Sequence, residues 1–72
     1  MEVEAERVER AFKNRKHLLT KREIDIVTRF YGINKRVRHT LAEIGEKYHV
    51  TRERVRQIKA VSLEKLKVKL NK

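Results

Sequence analysis

"TLAEIGEKYHVTRERVRQI", Thr40 to Ile58, decides the fold. Thr40 and Glu43 have the Thr-x-x-Glu spacing of a capping box, in which each side chain satisfies a backbone amide of the first turn. Leu41, Ile44 and Tyr48 follow at helical spacing, and Thr51 opens another helix. Only His49 and Val50 separate Tyr48 from Thr51. Two helices joined by so short a turn must cross steeply, which is the signature of a helix-turn-helix. Gly45 stands inside the first of them, where glycine costs about 1 kcal/mol relative to alanine. Close approach of the following helix is the expected compensation. His49 falls where a left-handed backbone is needed, and histidine tolerates that conformation better than most residues.

The last helix is expected from Thr51 to about Lys69, placing the helix-turn-helix over residues 40–69. At about 100° per residue, Ile58, Ser62 and Leu66 fall within about 60° of Val55, with Leu63 and Leu70 on one flank. That is the expected buried face. Glu53, Gln57, Ala60 and Glu64 cluster on the opposite side, Arg54 and Arg56 stand on the shoulders, and Arg52 lies in the first turn. A helix built only to hold phosphates would carry lysine or arginine outermost. Glutamate repels phosphate but can accept from the cytosine amino group, glutamine can pair with adenine, and arginine with guanine. Arg52, Glu53 and Gln57 therefore point to base reading in a DNA major groove, inside a clamp of arginines on the phosphates. Intrahelical Arg–Glu pairs, worth about 0.3–0.5 kcal/mol each, are the functionless account of the same residues.

Upstream, "LTKREIDIVTRFYGI", Leu19 to Ile33, has the same grammar. Thr20 and Glu23 form a capping box, and Leu19 and Ile24 are spaced for a hydrophobic staple. Ile24, Ile26, Val27, Phe30 and Tyr31 give a broad apolar face on a helix from Lys21 to Tyr31. Gly32 suits the left-handed residue after it, with Ile33 folding back. A first helix, about Val3 to Lys16, carries a narrow stripe of Ala5, Val8, Ala11 and Phe12. "NKRVRH", Asn34 to His39, reads as a basic loop. The sum is an all-α, four-helix domain covering residues 1–72, with supporting helices over about 3–31.

Composition narrows the partners. Among 72 residues there are 20 Lys and Arg against 10 Asp and Glu, a formal charge of +10. Residues 1–10 carry four glutamates and two arginines, so the excess lies entirely in the rest of the chain. Such a basic body suits a polyanion, most simply nucleic acid. An anionic membrane surface is the competing partner. No apolar run approaches the roughly 18 residues of a membrane span. There is no secretory pattern, so a cytoplasmic protein with no membrane partner is expected. Cysteine is absent. His17, His39 and His49 have no ligand spacing, Ser62 falls on the apolar face, and Gly32 and Gly45 are isolated. No enzyme, metal or cofactor is expected. RNA fits less well, because stacking aromatics are lacking.

"TLAEIGEKYHVTRERVRQIKAVSLEKLK", with "LTKREIDIVTRFYGI" before it, resembles region four of the primary-type sigma factors, the bacterial RNA polymerase subunits that recognise promoters. The resemblance covers about Leu18 to Lys67. It implies a four-helix domain that binds the promoter −35 element in the major groove. On that resemblance Arg52, Glu53 and Gln57 match base-reading positions, while Arg22, Leu41, Arg54, Arg56 and Lys59 match positions at the phosphate backbone. The family also docks on the flap of the polymerase β subunit through an apolar surface, which here would include Ile26, Val27, Phe30 and Tyr31. The same four residues also read as core.

Lys21 replaces the family's usual proline. Val61 and Glu64 stand where basic residues often meet activators, which puts activator and anti-sigma contacts in question. The segments that bind the −10 element and open DNA are lacking. An excised domain or a stand-alone relative is therefore expected, not a complete initiating factor. Two other functions fit parts of the pattern. One is a free-standing helix-turn-helix regulator dimerising through Leu63, Leu66 and Leu70. The other is a protein-binding adaptor derived from a sigma domain.

Overall fold

The computed structural model describes residues 4–68. Four α-helices run in order: α1 (Glu4–Arg15), α2 (Lys21–Tyr31), α3 (Leu41–Tyr48) and α4 (Arg52–Lys65). Single 3₁₀ turns, Lys16–Leu18 and Ile33–Lys35, follow α1 and α2. No strand occurs among the described residues. The fold class is the expected all-α one.

The helix ends are set by local chemistry. Thr20 Oγ1 accepts from the Glu23 amide at 3.2 Å, and the Glu23 carboxylate accepts from the Thr20 amide at 2.8 Å. Thr40 and Glu43 repeat the arrangement at 3.1 and 2.8 Å. Both expected capping boxes are present, so each helix starts where its sequence says. Gly32 is left-handed at φ 69° and ends α2. His49, at φ 58°, ends α3. Its amide donates to the Glu46 carbonyl, and the Val50 amide to the Gly45 carbonyl at 2.9 Å. That pair of bonds is a Schellman motif, which satisfies carbonyls the helix end would otherwise leave bare.

Gly45 is required by space. A Cβ there would stand 2.6 Å from the Val50 carbonyl oxygen and 3.4 Å from the Arg52 nitrogen. The close approach is real, but the obstacle is backbone of the turn itself.

Two apolar clusters hold the helices. Val8, Phe12, Leu19, Val27, Tyr31, Ile33, Leu63 and Leu66 join α1 and α2 to the end of α4. Ile26, Ile44, Val55 and Ile58 join α2 and α3 to its start. Phe30 borders both. Buried side chains of this size contribute about 1.5–3 kcal/mol each, so the two clusters dominate stability. Tyr31 also donates its hydroxyl to Glu4 at 2.7 Å, tying α1 to α2. Burial and that carboxylate both push the phenol's pKa up.

α4 is shorter than expected. It ends at Lys65, with Lys67 left-handed at φ 59°. The Lys67 amide donates to the Glu64 carbonyl and the Val68 amide to the Leu63 carbonyl, both at 3.0 Å. This second Schellman motif uses a lysine where glycine is usual. Burial of Leu63 and Leu66, with Val68 packed against their cluster, holds the chain in that turn. The expected start at Val3 and the flanking Leu70 lie outside the described residues.

Segment 33–39 also departs from a plain loop. Ile33 is fully buried, and Asn34 is left-handed at φ 61°. Arg36 reaches back to α2, and the Arg38 Nε donates to the Phe30 carbonyl at 3.4 Å.

Candidate nucleic-acid interface

α4 opens differently from α2 and α3. Thr51 Oγ1 accepts from the Arg54 amide at 3.1 Å, but the third helical residue is arginine, not glutamate. The first-turn acid, Glu53, is one position earlier and takes no part in a capping box. It is left on the outer face, where its charge also favours the positive end of the helix dipole.

The buried side of α4 is Val55, Ile58, Ser62, Leu63 and Leu66, as the helical period implies. Ser62 is satisfied locally, its hydroxyl donating to the Ile58 carbonyl at 2.8 Å. Arg52, Glu53, Arg54, Arg56 and Gln57 are all exposed. They lie on the open side of the helix-turn-helix, and four of them pair with one another. The Arg56 guanidinium donates from both Nε and Nη2 to the Glu53 carboxylate, the Nε bond being 2.9 Å. Arg54 Nη1 donates to Gln57 Oε1 at 3.5 Å. The Arg56 bond holds the Glu53 carboxyl below its usual pKa, so Glu53 is an acceptor at neutral pH.

Leu41 is half-buried at the start of α3, against the second apolar cluster. Arg22, in the first turn of α2, is exposed, its guanidinium carbon 5.3 Å from the centre of the Tyr48 ring. Lys59 is placed differently from the expectation of a phosphate contact. It lies about 40° from Val55 around the helix. Its ammonium stands 4.3 Å from the Phe30 ring centre and 5.7 Å from that of Tyr31. Burial there pushes its pKa down, and the side chain covers α2 instead of joining the outer face. Of the four residues considered for protein docking, Ile26, Val27 and Tyr31 are buried inside the clusters. Phe30 alone is partly exposed. The core account holds for three of the four, and their side chains offer no surface to a partner.

Behind the interface lies a polar hub that sequence reasoning missed. The Asp25 carboxylate accepts Arg29 Nε at 3.0 Å, Arg36 Nη1 at 2.6 Å and the Tyr48 hydroxyl. Arg36 Nη1 also donates to Thr28 Oγ1 at 3.0 Å. Burial alone would raise the Asp25 pKa, but these donors outweigh it and hold the carboxyl at about 2. The hub ties α2, segment 33–39 and α3 together. The i,i+4 spacing of Asp25 and Arg29 was a visible signal for one contact; nothing local points to Tyr48. A second tie links Lys65 Nζ to Glu23 Oε1 at 2.9 Å, joining the end of α4 to the start of α2.

The sigma-70 region 4 family model matches residues 17–68, the span from the turn before α2 to the end of the described chain. The chain belongs to the sigma-70 region 4 family. Its match includes α2, α3 and α4 whole, and so the entire interface above. The region 4 chain is similar to the RNA polymerase sigma factor SigA4 of Synechococcus elongatus, at 46% identity over 50 residues. It is also similar to the RNA polymerase sigma factor RpoD of Neisseria gonorrhoeae, at 47% identity over 49 residues. Those alignments cover 69% and 68% of this chain, but 16% and 8% of the two sigma factors. No solved structure matches it. No helix among the described residues of this region 4 chain is long and apolar enough to cross a membrane.

Proposed function

We propose that this region 4 chain recognises a promoter −35 element, with α4 in the major groove, and contributes to transcription initiation by RNA polymerase. The observation that carries the proposal is the outer face of α4. Arg52, Glu53 and Gln57 are exposed together beyond the helix-turn-helix, flanked by Arg54 and Arg56. An acid and an amide at the centre of a basic surface suit base edges better than phosphates. Arg54, Arg56, Arg22 and the start of α3 at Leu41 would fix the register on the backbone. The excess positive charge supplies long-range attraction to the duplex.

Docking on the polymerase β-subunit flap belongs to the same proposal. Phe30 is the member of the apolar group with surface to offer. Family membership supports polymerase as the partner.

The deciding experiment is fluorescence anisotropy with a duplex carrying a −35-like hexamer and with a scrambled duplex, at several salt concentrations. The expected result is a preference that persists as salt rises. Gln57→Ala should relax discrimination at one base pair by about 1–3 kcal/mol. Equal loss on both duplexes would remove Gln57 from base reading.

A further inference from the structure

Tyr48 closes α3 three residues before the threonine that caps α4. Two cations from different helices sit on its ring. The Arg22 guanidinium carbon is 5.3 Å from the ring centre, and Lys47 Nζ is 5.6 Å from it. Both residues are exposed. Neither holds a carboxylate within 4.0 Å among the described residues, whereas Arg29, Arg36, Arg56 and Lys65 each do. The ring itself is fixed from behind, because its hydroxyl donates to the Asp25 carboxylate. A phenol that donates to a carboxylate gains electron density in its ring. Cations are drawn to the negative face of such a ring. The arrangement therefore brings two positive charges from different helices to 5.3 and 5.6 Å from one ring centre.

We propose that Lys47 and Arg22, held on the Tyr48 ring, form a phosphate-binding pair beside the start of α4, with Tyr48 as the positioning residue. This rests on the DNA-binding reading above and adds Lys47 and Tyr48 to it. The place favours phosphate. The pair adjoins the turn that leads into α4, whose first residues are Arg52, Glu53 and Arg54, so a strand whose bases meet α4 runs past it. Asp25 acts one step further back, through the Tyr48 hydroxyl. It holds the ring against α2, within reach of both the Arg22 of one helix and the Lys47 of another.

The test is anisotropy of the full 72-residue chain on the −35-like and scrambled duplexes across a salt series. Lys47→Ala truncates an exposed side chain and leaves both apolar clusters intact, which far-UV circular dichroism checks. It should weaken binding to both duplexes by about threefold to tenfold, keep their ratio, and make the salt slope shallower by about 0.9. Arg22→Ala should do the same, and the double variant should lose about twice that slope. Tyr48→Phe keeps the ring and both charges but releases Asp25. It should weaken both duplexes at unchanged slope, and that loss should vanish in the Arg22→Ala/Lys47→Ala background.

A Lys47→Ala variant with wild-type affinity and slope would overturn the phosphate pair. A Tyr48→Phe loss of equal size in the double background would overturn the positioning role. Equal wild-type affinity for the two duplexes, with the Lys47→Ala slope change intact, would refute base reading while supporting the pair. A wild-type chain that bound no duplex would overturn both.

Discussion

Asp25→Asn removes one charge from the hub and changes little in size. In the native chain the Asp25 carboxyl is held at about 2, against an ordinary value of 3.8. A pKa unit corresponds to about 1.36 kcal/mol, so the depression is worth roughly 2 kcal/mol at neutral pH. The side chain is only 21% exposed, so solvent screening removes little of this. The direction follows from linkage. A folded pKa below the unfolded one gives stability that is complete above about 4 and is lost as pH falls through about 2. Asparagine still accepts from Tyr48 but leaves Arg29 and Arg36 without their charge partner. In a domain of this length about 2 kcal/mol corresponds to a fall in Tm of roughly 8–16 °C. The assay is thermal and urea unfolding of wild type and variant from pH 7 to pH 2. The gap between them should be full at pH 7 and shrink below pH 4. A variant that melts with the wild type at pH 7, or a gap that does not change with acid, would refute the hub as a source of stability.

Gly45→Ala should destabilise by about 1–3 kcal/mol, because its methyl group would overlap the Val50 carbonyl. Urea unfolding checks this, and a stabilised variant, as helix propensity alone implies, would show that the turn can yield. Arg54→Ala should weaken all duplexes alike and flatten the salt slope by about one unit; an unchanged slope in a salt titration would remove it from the phosphate clamp. Lys67→Gly should stabilise by up to about 1 kcal/mol, since it relieves a left-handed lysine after α4. A calorimetric melt that shifts downward would show that the lysine side chain is itself needed there.

What could be read in advance was local. Thr20 with Glu23, and Thr40 with Glu43, fix helix starts through bonds spanning three residues, so their spacing alone is enough. His49 and Gly45 could be read because a two-residue turn leaves the backbone few alternatives. The buried and open faces of α4 followed from the helical period. The end of α4 did not. Leu66 and Leu70 keep the helical rhythm and no glycine interrupts it, yet the chain turns at Lys67 because Leu66 and Val68 are drawn onto the α1–α2 cluster. Ile26, Val27 and Tyr31 were ambiguous for a similar reason, since an apolar face looks alike whether it meets its own domain or another protein. The resting place of Lys59 was not legible, because a long side chain at the edge of a buried face can lie back over an aromatic ring. The Asp25–Tyr48 bond joins residues 23 apart, and the Glu23–Lys65 bond residues 42 apart. No periodicity encodes such distances.

On the proposed reading of α4, the pairing of Arg56 with Glu53, and of Arg54 with Gln57, has a thermodynamic consequence. These groups do not wait as bare donors and acceptors. A duplex must displace one set of bonds with another, so association becomes a substitution reaction on the helix surface. Arg54 and Arg56 would find phosphates on any duplex, whereas Glu53 and Gln57 would regain partners only on a matching sequence. On that reading, part of the stringency would come from the bonds these four side chains make with one another.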